Sequence, residues 1–116
     1  TISSVNGGLG VPKETTYATA KAAIVHLTRC LAVELRDKGI NVNCIMPGPI
    51  TTGRFMATLE SRNSHDLKDM QSSSGLTRIG KPEDICPVVE FLLSPGSDFI
   101  SGQVIRVDGG LFSQPV

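Results

Sequence analysis

The chain has 116 residues, with 11 basic and 11 acidic side chains, a formal net charge of zero and no tryptophan. That length holds at most one small domain. The even charge balance, with bases scattered and no aromatics between them, argues against a nucleic-acid or polyanion partner. No uncharged run approaches a bilayer span and the start has no signal-peptide pattern, so no membrane partner is expected, and a cytoplasmic location is.

In chain order, "TISS" (Thr1 to Ser4) reads as the end of a buried strand, followed by a glycine-rich loop from Val5 to Glu14. Thr15 to Lys38 predicts a long helix. Thr15 or Thr16 suits its N-cap, Arg36 and Lys38 its last turn, and Gly39 its close. "INVNCIMPG" alternates Ile40, Val42, Cys44 and Met46 before Pro47 and Gly48, the pattern of a short strand. Residues 49–80 are polar and irregular, with short apolar patches at Phe55, Met56 and Leu59 and at Leu67 and Met70, which predicts a variable loop with one or two short helices.

A second helix follows "GKPEDI", with Ile85, Val88, Val89 and Leu92 at helical spacing and Pro82, Glu83 and Asp84 in its first turn. Pro87 asks that this helix either start near Asp84 or kink. "SPG" ends it, and Gln103 to Val107 forms a last strand stopped by Gly109 and Gly110. Strand, helix, strand, loop, helix, strand is the order of a parallel α/β sheet. Such sheets are covered on both faces, and these elements are too few to do so. The chain is therefore expected to be part of a larger domain, with residues preceding Thr1 missing. Cys30 and Cys44 fall in apolar stretches and are expected to be buried free thiols. His26 and His65 have no ligand-spaced companions, so no metal is expected.

On a helical wheel at about 100° per residue, Ala20, Ile24, Leu27, Leu31 and Leu35 form an apolar stripe. Thr19, His26, Arg29, Arg36 and Asp37 gather opposite. Tyr17, the only tyrosine, and Lys21 fall beside the stripe, one turn apart and facing the same way. By spacing alone the pair reads as a packed aromatic beside a snorkelling lysine. Ser4, however, stands thirteen residues before Tyr17 at a strand's carboxyl end, where open α/β sheets place their ligands. The Pro47 to Thr52 loop leaves the next strand end beside it.

With these residues in order, the sequence resembles the short-chain dehydrogenase/reductase family. "ISS", "YATAK", "INVNCIMPGPITT", "RIGKPEDI" and "SGQVIRVDGG" carry the resemblance over nearly the whole chain. It is similar to the 3-oxoacyl-carrier-protein reductases and to sugar and polyol dehydrogenases. The resemblance implies the C-terminal half of a Rossmann-like doubly wound parallel sheet, with residues 1–116 the catalytic half and 49–80 the variable substrate loop. It implies NAD or NADP as cofactor, a small-molecule alcohol or carbonyl as substrate, and a homo-oligomer, dimer or tetramer. Ser4 would hold the substrate oxygen, with Ser3 a competitor that the spacing to Tyr17 disfavours. Tyr17 would be the general acid/base, and Lys21 would bind the nicotinamide ribose and favour the phenolate. Pro47, Gly48, Ile50 and Thr52 would line the nicotinamide. A free phenol titrates near ~10, so a tyrosine base at neutral pH needs such a cation.

"GGLG" (Gly7 to Gly10) lacks the GxGxxG spacing of a dinucleotide turn and reads better as an active-site wall than as a phosphate cradle. Phe55, Met56 and Leu59 would form a lid within residues 53–75. Val25 and Ala18 give the long helix a thinner second apolar edge, suited to packing or to a helix–helix interface. The alternative to an oxidoreductase is a non-catalytic truncated piece or pseudoenzyme that keeps an oligomerisation or partner surface.

Overall fold

The computed structural model describes residues 1–62 and 75–113. A segment at Ile2 pairs parallel with Ile45 of strand β1 (Cys44–Pro47), and β1 pairs parallel with β2 (Val104–Val107) in the register Cys44–Val104 to Pro47–Val107. β1 is thus the central strand, and Cys44, Ile45 and Met46 are all buried. Successive side chains of a strand point to opposite faces, so a buried run means both faces are covered, as a parallel sheet requires.

β1 is shorter than the predicted strand, which began at Ile40. Asn41 and Asn43 explain the difference. Asn41 Nδ2 donates to Asp98 O (3.0 Å). Asn43 donates to Ile100 O (2.7 Å) and accepts from Gln103 N–H (3.0 Å). The Ser101 hydroxyl accepts Val42 N–H at 3.1 Å. Side chains and one backbone bond, Gly102 N–H to Val42 O at 2.8 Å, rather than a regular ladder, therefore join residues 41–43 to the segment entering β2.

Helix α1 (Thr15–Leu35) runs into a 3₁₀ turn (Arg36–Lys38) closed by Gly39 at φ 67°, where only glycine sits without strain. The predicted extent and stop hold. The predicted cap does not. Glu14 is the N-cap and makes no side-chain cap bond, and its carboxylate instead accepts from Asn6 Nδ2 at 2.9 Å.

The buried face of α1 also differs from the predicted stripe. Ala20 is exposed and Leu27 is 50% exposed, while Thr28 (0%) and Ala32 (7%) are the most buried residues of the helix. That is a rotation of about 60°. The cause is Thr28, whose polarity masked its place on the packed side. Its hydroxyl bonds Ile24 O (2.8 Å) and Thr1 Oγ1 (2.7 Å), so burial leaves nothing unsatisfied. The rotation brings Tyr17 and Lys21 from beside the packed face onto its line.

Helix α2 (Gly53–Arg62) is one of the short helices expected in the 49–80 segment. Leu67, Met70 and His65 lie outside the described residues. Helix α3 (Pro82–Leu92) starts at Pro82 and continues through Pro87, so it begins earlier than Asp84. Its start is fixed by Pro82 at the first position and by Asp84, which accepts Lys81 N–H at 2.6 Å. Cys44 is buried as expected, whereas Cys30 is exposed because it sits on the outward side of the rotated α1.

Candidate active site

Ile2 and β1 deliver two carboxyl-terminal chain exits side by side. After the Ile2 segment come Ser3 and Ser4, then a 3₁₀ turn (Val5–Gly8) that packs on α1. After β1 comes the Pro47–Thr52 loop. Together with the first turns of α1 and α2 they enclose a cleft of about 1140 Å³. The expected catalytic and nicotinamide-lining residues all border it, namely Ser4, Tyr17, Lys21, Pro47, Gly48, Ile50 and Thr52, whereas Gly7 to Gly10, expected as an active-site wall, do not.

Adjacent strand residues face opposite ways, and the two serines divide accordingly. Ser3 is 4% exposed and donates its hydroxyl to Lys21 O at 2.6 Å, pinning the strand end to α1. Ser4 is half-buried, and its Oγ accepts Asn6 N–H at 3.3 Å. The Ser4 O–H proton is therefore still available to a ligand. Both serines border the cleft, but the Ser3 hydroxyl proton is committed to Lys21 O while that of Ser4 is not.

Tyr17 is half-buried between two cations. Lys21 Nζ lies 5.7 Å from its ring centroid and Arg54 Cζ lies 5.4 Å away. Lys21 Nζ donates to Ile2 O at 3.3 Å, one of the three bonds an ammonium can make. The Thr52 hydroxyl accepts Phe55 N–H at 3.3 Å and so caps α2, which leaves its proton free to donate into the cleft. From α2, Phe55 and Leu59 line the cleft, but Met56 does not, so the expected lid is carried by two of its three residues.

Arg54 was not assigned a role from sequence. Its position two residues beyond Thr52, at a helix start, was the available signal. Inside "RIGKPEDI" the sequence places Asp84 in a helix's first turn and gives Arg78 no role. They form a two-pronged ion pair, Nη1 to Oδ2 and Nη2 to Oδ1, both at 2.7 Å. The Arg78 hydrogen bonds, with Lys81 N–H adding to them, hold the Asp84 carboxyl well below the usual carboxylate range. Among the described residues, no group of three or more His, Cys, Asp or Glu side chains is placed to hold a metal.

A parallel α/β sheet with its cleft at the carboxyl edge is of the Rossmann-like class, and here a hydroxyl, a phenol and an ammonium border that cleft. The family model described as enoyl-(acyl carrier protein) reductase matches residues 1–112. The chain belongs to the short-chain dehydrogenase/reductase family. It is 42% identical over 110 residues to the 3-oxoacyl-[acyl-carrier-protein] reductase FabG of Chlamydia trachomatis, covering 95% of this chain and 43% of that protein. It is 40% identical over 111 residues to versicolorin reductase 1 of Aspergillus parasiticus, covering 89% of this chain and 42% of the relative. Among solved structures it is similar to levodione reductase (TM-score 0.83, 32% identity, 94% of this chain and 44% of that one). It is also similar to a 7α-hydroxysteroid dehydrogenase complexed with NADH and 7-oxo glycochenodeoxycholic acid (TM-score 0.83, 35% identity, 94% and 42%). The chain thus spans less than half the length of these relatives. No helix of the described residues is long and apolar enough to cross a membrane.

Proposed function

We propose that this chain supplies the catalytic part of an NAD(P)-dependent oxidoreductase that interconverts a small-molecule alcohol and its carbonyl. The observation that carries the reading is the convergence of Ser4, Tyr17 and Lys21 on one cleft, with Lys21 Nζ 5.7 Å from the Tyr17 ring. Structural neighbours bound to NADH and to NADP support the cofactor class, without choosing between the two.

The donor set suits a nicotinamide riboside. Lys21 offers ammonium protons to a ribose diol, and Thr52 offers a hydroxyl proton to a carboxamide oxygen. Pro47, Gly48 and Ile50 give an uncharged wall, and the cleft of about 1140 Å³ admits a ring and a substrate together. When bound, the nicotinamide accepts or supplies the hydride. The chain's own residues do the rest. Ser4 donates a hydrogen bond to the substrate oxygen. In oxidation, the alcohol O–H proton passes to the Tyr17 oxygen as the carbon's hydride leaves. In reduction, Tyr17 returns a proton to the carbonyl oxygen. Lys21 and Arg54 both stand over the Tyr17 ring and keep it at the cleft. Phe55 and Leu59 exclude water from the substrate side.

The test is Tyr17→Phe in the protein as its gene encodes it. Turnover should fall about 10²–10⁴-fold, the usual range for removing a general acid/base. Nicotinamide binding, followed by NAD(P)H fluorescence, should stay within about threefold, since only a hydroxyl is lost. Undiminished turnover would refute the mechanism. Absence of nicotinamide binding in the unsubstituted protein would favour the partner-surface reading instead.

A further inference from the structure

The Arg78–Asp84 ion pair stands outside the catalytic set, yet it is built onto the backbone that forms the nicotinamide wall. Asp84 Oδ2 accepts both Arg78 Nη1 (2.7 Å) and Lys81 N–H (2.6 Å), and Arg78 Nη1 also donates to Ile79 O at 3.1 Å. Both prongs of Arg78 and the Lys81 N–H therefore tie residues 78–81 to Asp84 in the first turn of α3, while the Ile79 bond stiffens the segment itself.

In the middle of that tied segment sits Gly80. Its N–H donates to Pro49 O and its carbonyl accepts Thr51 N–H, both at 2.9 Å, making a parallel bridge with Ile50. The approach is tight, because a Cβ on Gly80 would lie 2.6 Å from Ile50 Cδ1. On its other side the same loop is held by Gly48 N–H, which donates to Val107 O at 3.0 Å. The loop thus has two backbone anchors. One is the end of β2, an established sheet element. The other is a short segment with no strand behind it, whose shape depends on Arg78 and Asp84. A pocket of about 240 Å³ lined by Ile50, Gly80, Asp84 and Asp108 lies between the two anchors, and Leu76 packs closely on Gly109 beside it.

We infer that Arg78 and Asp84 are positioning residues for nicotinamide binding, acting through Gly80 to hold Pro49, Ile50 and Thr51 at the cleft wall. Neither touches the reacting atoms. The inference deepens the proposed function and rests on the reading that this loop faces a nicotinamide. Bidentate geometry matters because a single contact lets the 78–81 segment swing, whereas two parallel N–H···O bonds fix its orientation. Lysine keeps the charge but offers no fork, so Arg78→Lys should behave as a partial loss.

The experiment compares Arg78→Met, Arg78→Lys and Asp84→Asn with the unsubstituted full-length protein. Amide hydrogen exchange at Thr51 and Gly80 should quicken about fivefold or more in Arg78→Met and Asp84→Asn, with Arg78→Lys between. The Cys44 amide, bonded to Gln103 O across β1 and β2, should be unchanged. KM for NAD(P)H should rise about fivefold while kcat stays within about twofold, the pattern of lost ground-state binding. Unchanged exchange at Thr51 overturns the inference, as does equal quickening at Cys44, which would mean general loosening. Quickened Thr51 exchange with an unaltered cofactor KM overturns the link to nicotinamide. The exchange measurement needs no cofactor, so it judges the anchor even if the unsubstituted protein binds no nicotinamide, a result that would refute the proposed function separately.

Discussion

Gly7 and Gly8 are neighbours in one 3₁₀ turn, and the structure assigns opposite consequences to adding a methyl group at each. Neither has positive φ, so the contrast is steric rather than conformational. A Cβ on Gly7 would lie 2.8 Å from Lys21 C, 2.9 Å from Lys21 O and 3.0 Å from Ala22 N. All three are backbone atoms inside α1 and cannot rotate away. Ordinary carbon contacts begin near ~3.5 Å, so Gly7→Ala must separate turn and helix by about 0.7 Å. The Ser3 hydroxyl bond to Lys21 O, now 2.6 Å, crosses the same gap and would be stretched with it.

Overpacking of this kind costs about 1–3 kcal/mol, and the weakened hydrogen bond adds about 1 kcal/mol. At about 4 °C per kcal/mol for a chain of this size, Tm should fall by about 8–16 °C. The displacement also moves Ser4 relative to Tyr17 and Lys21, and misplacements near 1 Å cost up to about 10²-fold in rate, so turnover should fall about tenfold or more. In Gly8→Ala the new methyl meets only Met46 Cε at 3.5 Å and Arg106 Nη2 at 3.7 Å, the far ends of flexible side chains. That variant should stay within about 0.5 kcal/mol of the parent. Thermal denaturation followed by circular dichroism, with initial rates measured in parallel, checks both. If Gly7→Ala and Gly8→Ala melt together, the contact between turn and α1 is not as described, and the positioning of Ser4 by Ser3 and Gly7 falls with it.

The Arg78 hydrogen bonds depress the Asp84 pKa below its unfolded value, so the pair contributes stability that is fully present above about pH 4 and is lost as pH falls through the folded pKa. Melting temperature against pH should therefore drop on the acid side in the parent, and Asp84→Asn should lower the neutral plateau and flatten that limb. An unchanged acid limb in Asp84→Asn would refute the assignment. Thiol titration of the folded protein should label Cys30 and Cys86, with Cys44 reacting only after denaturation. Protection of Cys30 in a monomeric sample would restore the unrotated face of α1.

Much of the fold was legible because it depends on local rules. The length of α1, its stop at Gly39, the start of α3 at "KPED" and the strand ends at Pro47 and Val107 all follow from capping residues and apolar runs. What escaped depended on partners distant in sequence. Thr28 reads as polar until Thr1, 27 residues away, is seen to share its hydroxyl bond. Asn41 and Asn43 read as outward strand positions until residues 98–103 are seen to take their side chains. Arg54 is marked only by standing two residues beyond Thr52, because its contact with the Tyr17 ring forms between residues 37 apart in sequence.

The same distinction explains why the recognisable motifs are longer than the chemistry they serve. In "ISS" only Ser4 is left for a ligand, while Ser3 ties the strand end to the carbonyl of Lys21, itself the cation of the proposed mechanism. In "MPGPITT" Pro47, Gly48, Ile50 and Thr52 border the cleft, while the Gly48 and Thr51 amides hold the loop to Val107 and Gly80. In "RIGKPED" no residue is assigned to the chemistry, and Arg78 and Asp84 fix the shape of Gly80. Proton and hydride transfer tolerate little misplacement, and rate falls steeply over distances near 1 Å. A site on three chain exits therefore needs each exit restrained independently. The restraining residues sit next to the reactive ones in sequence because one backbone segment must both reach the cleft and be anchored just short of it.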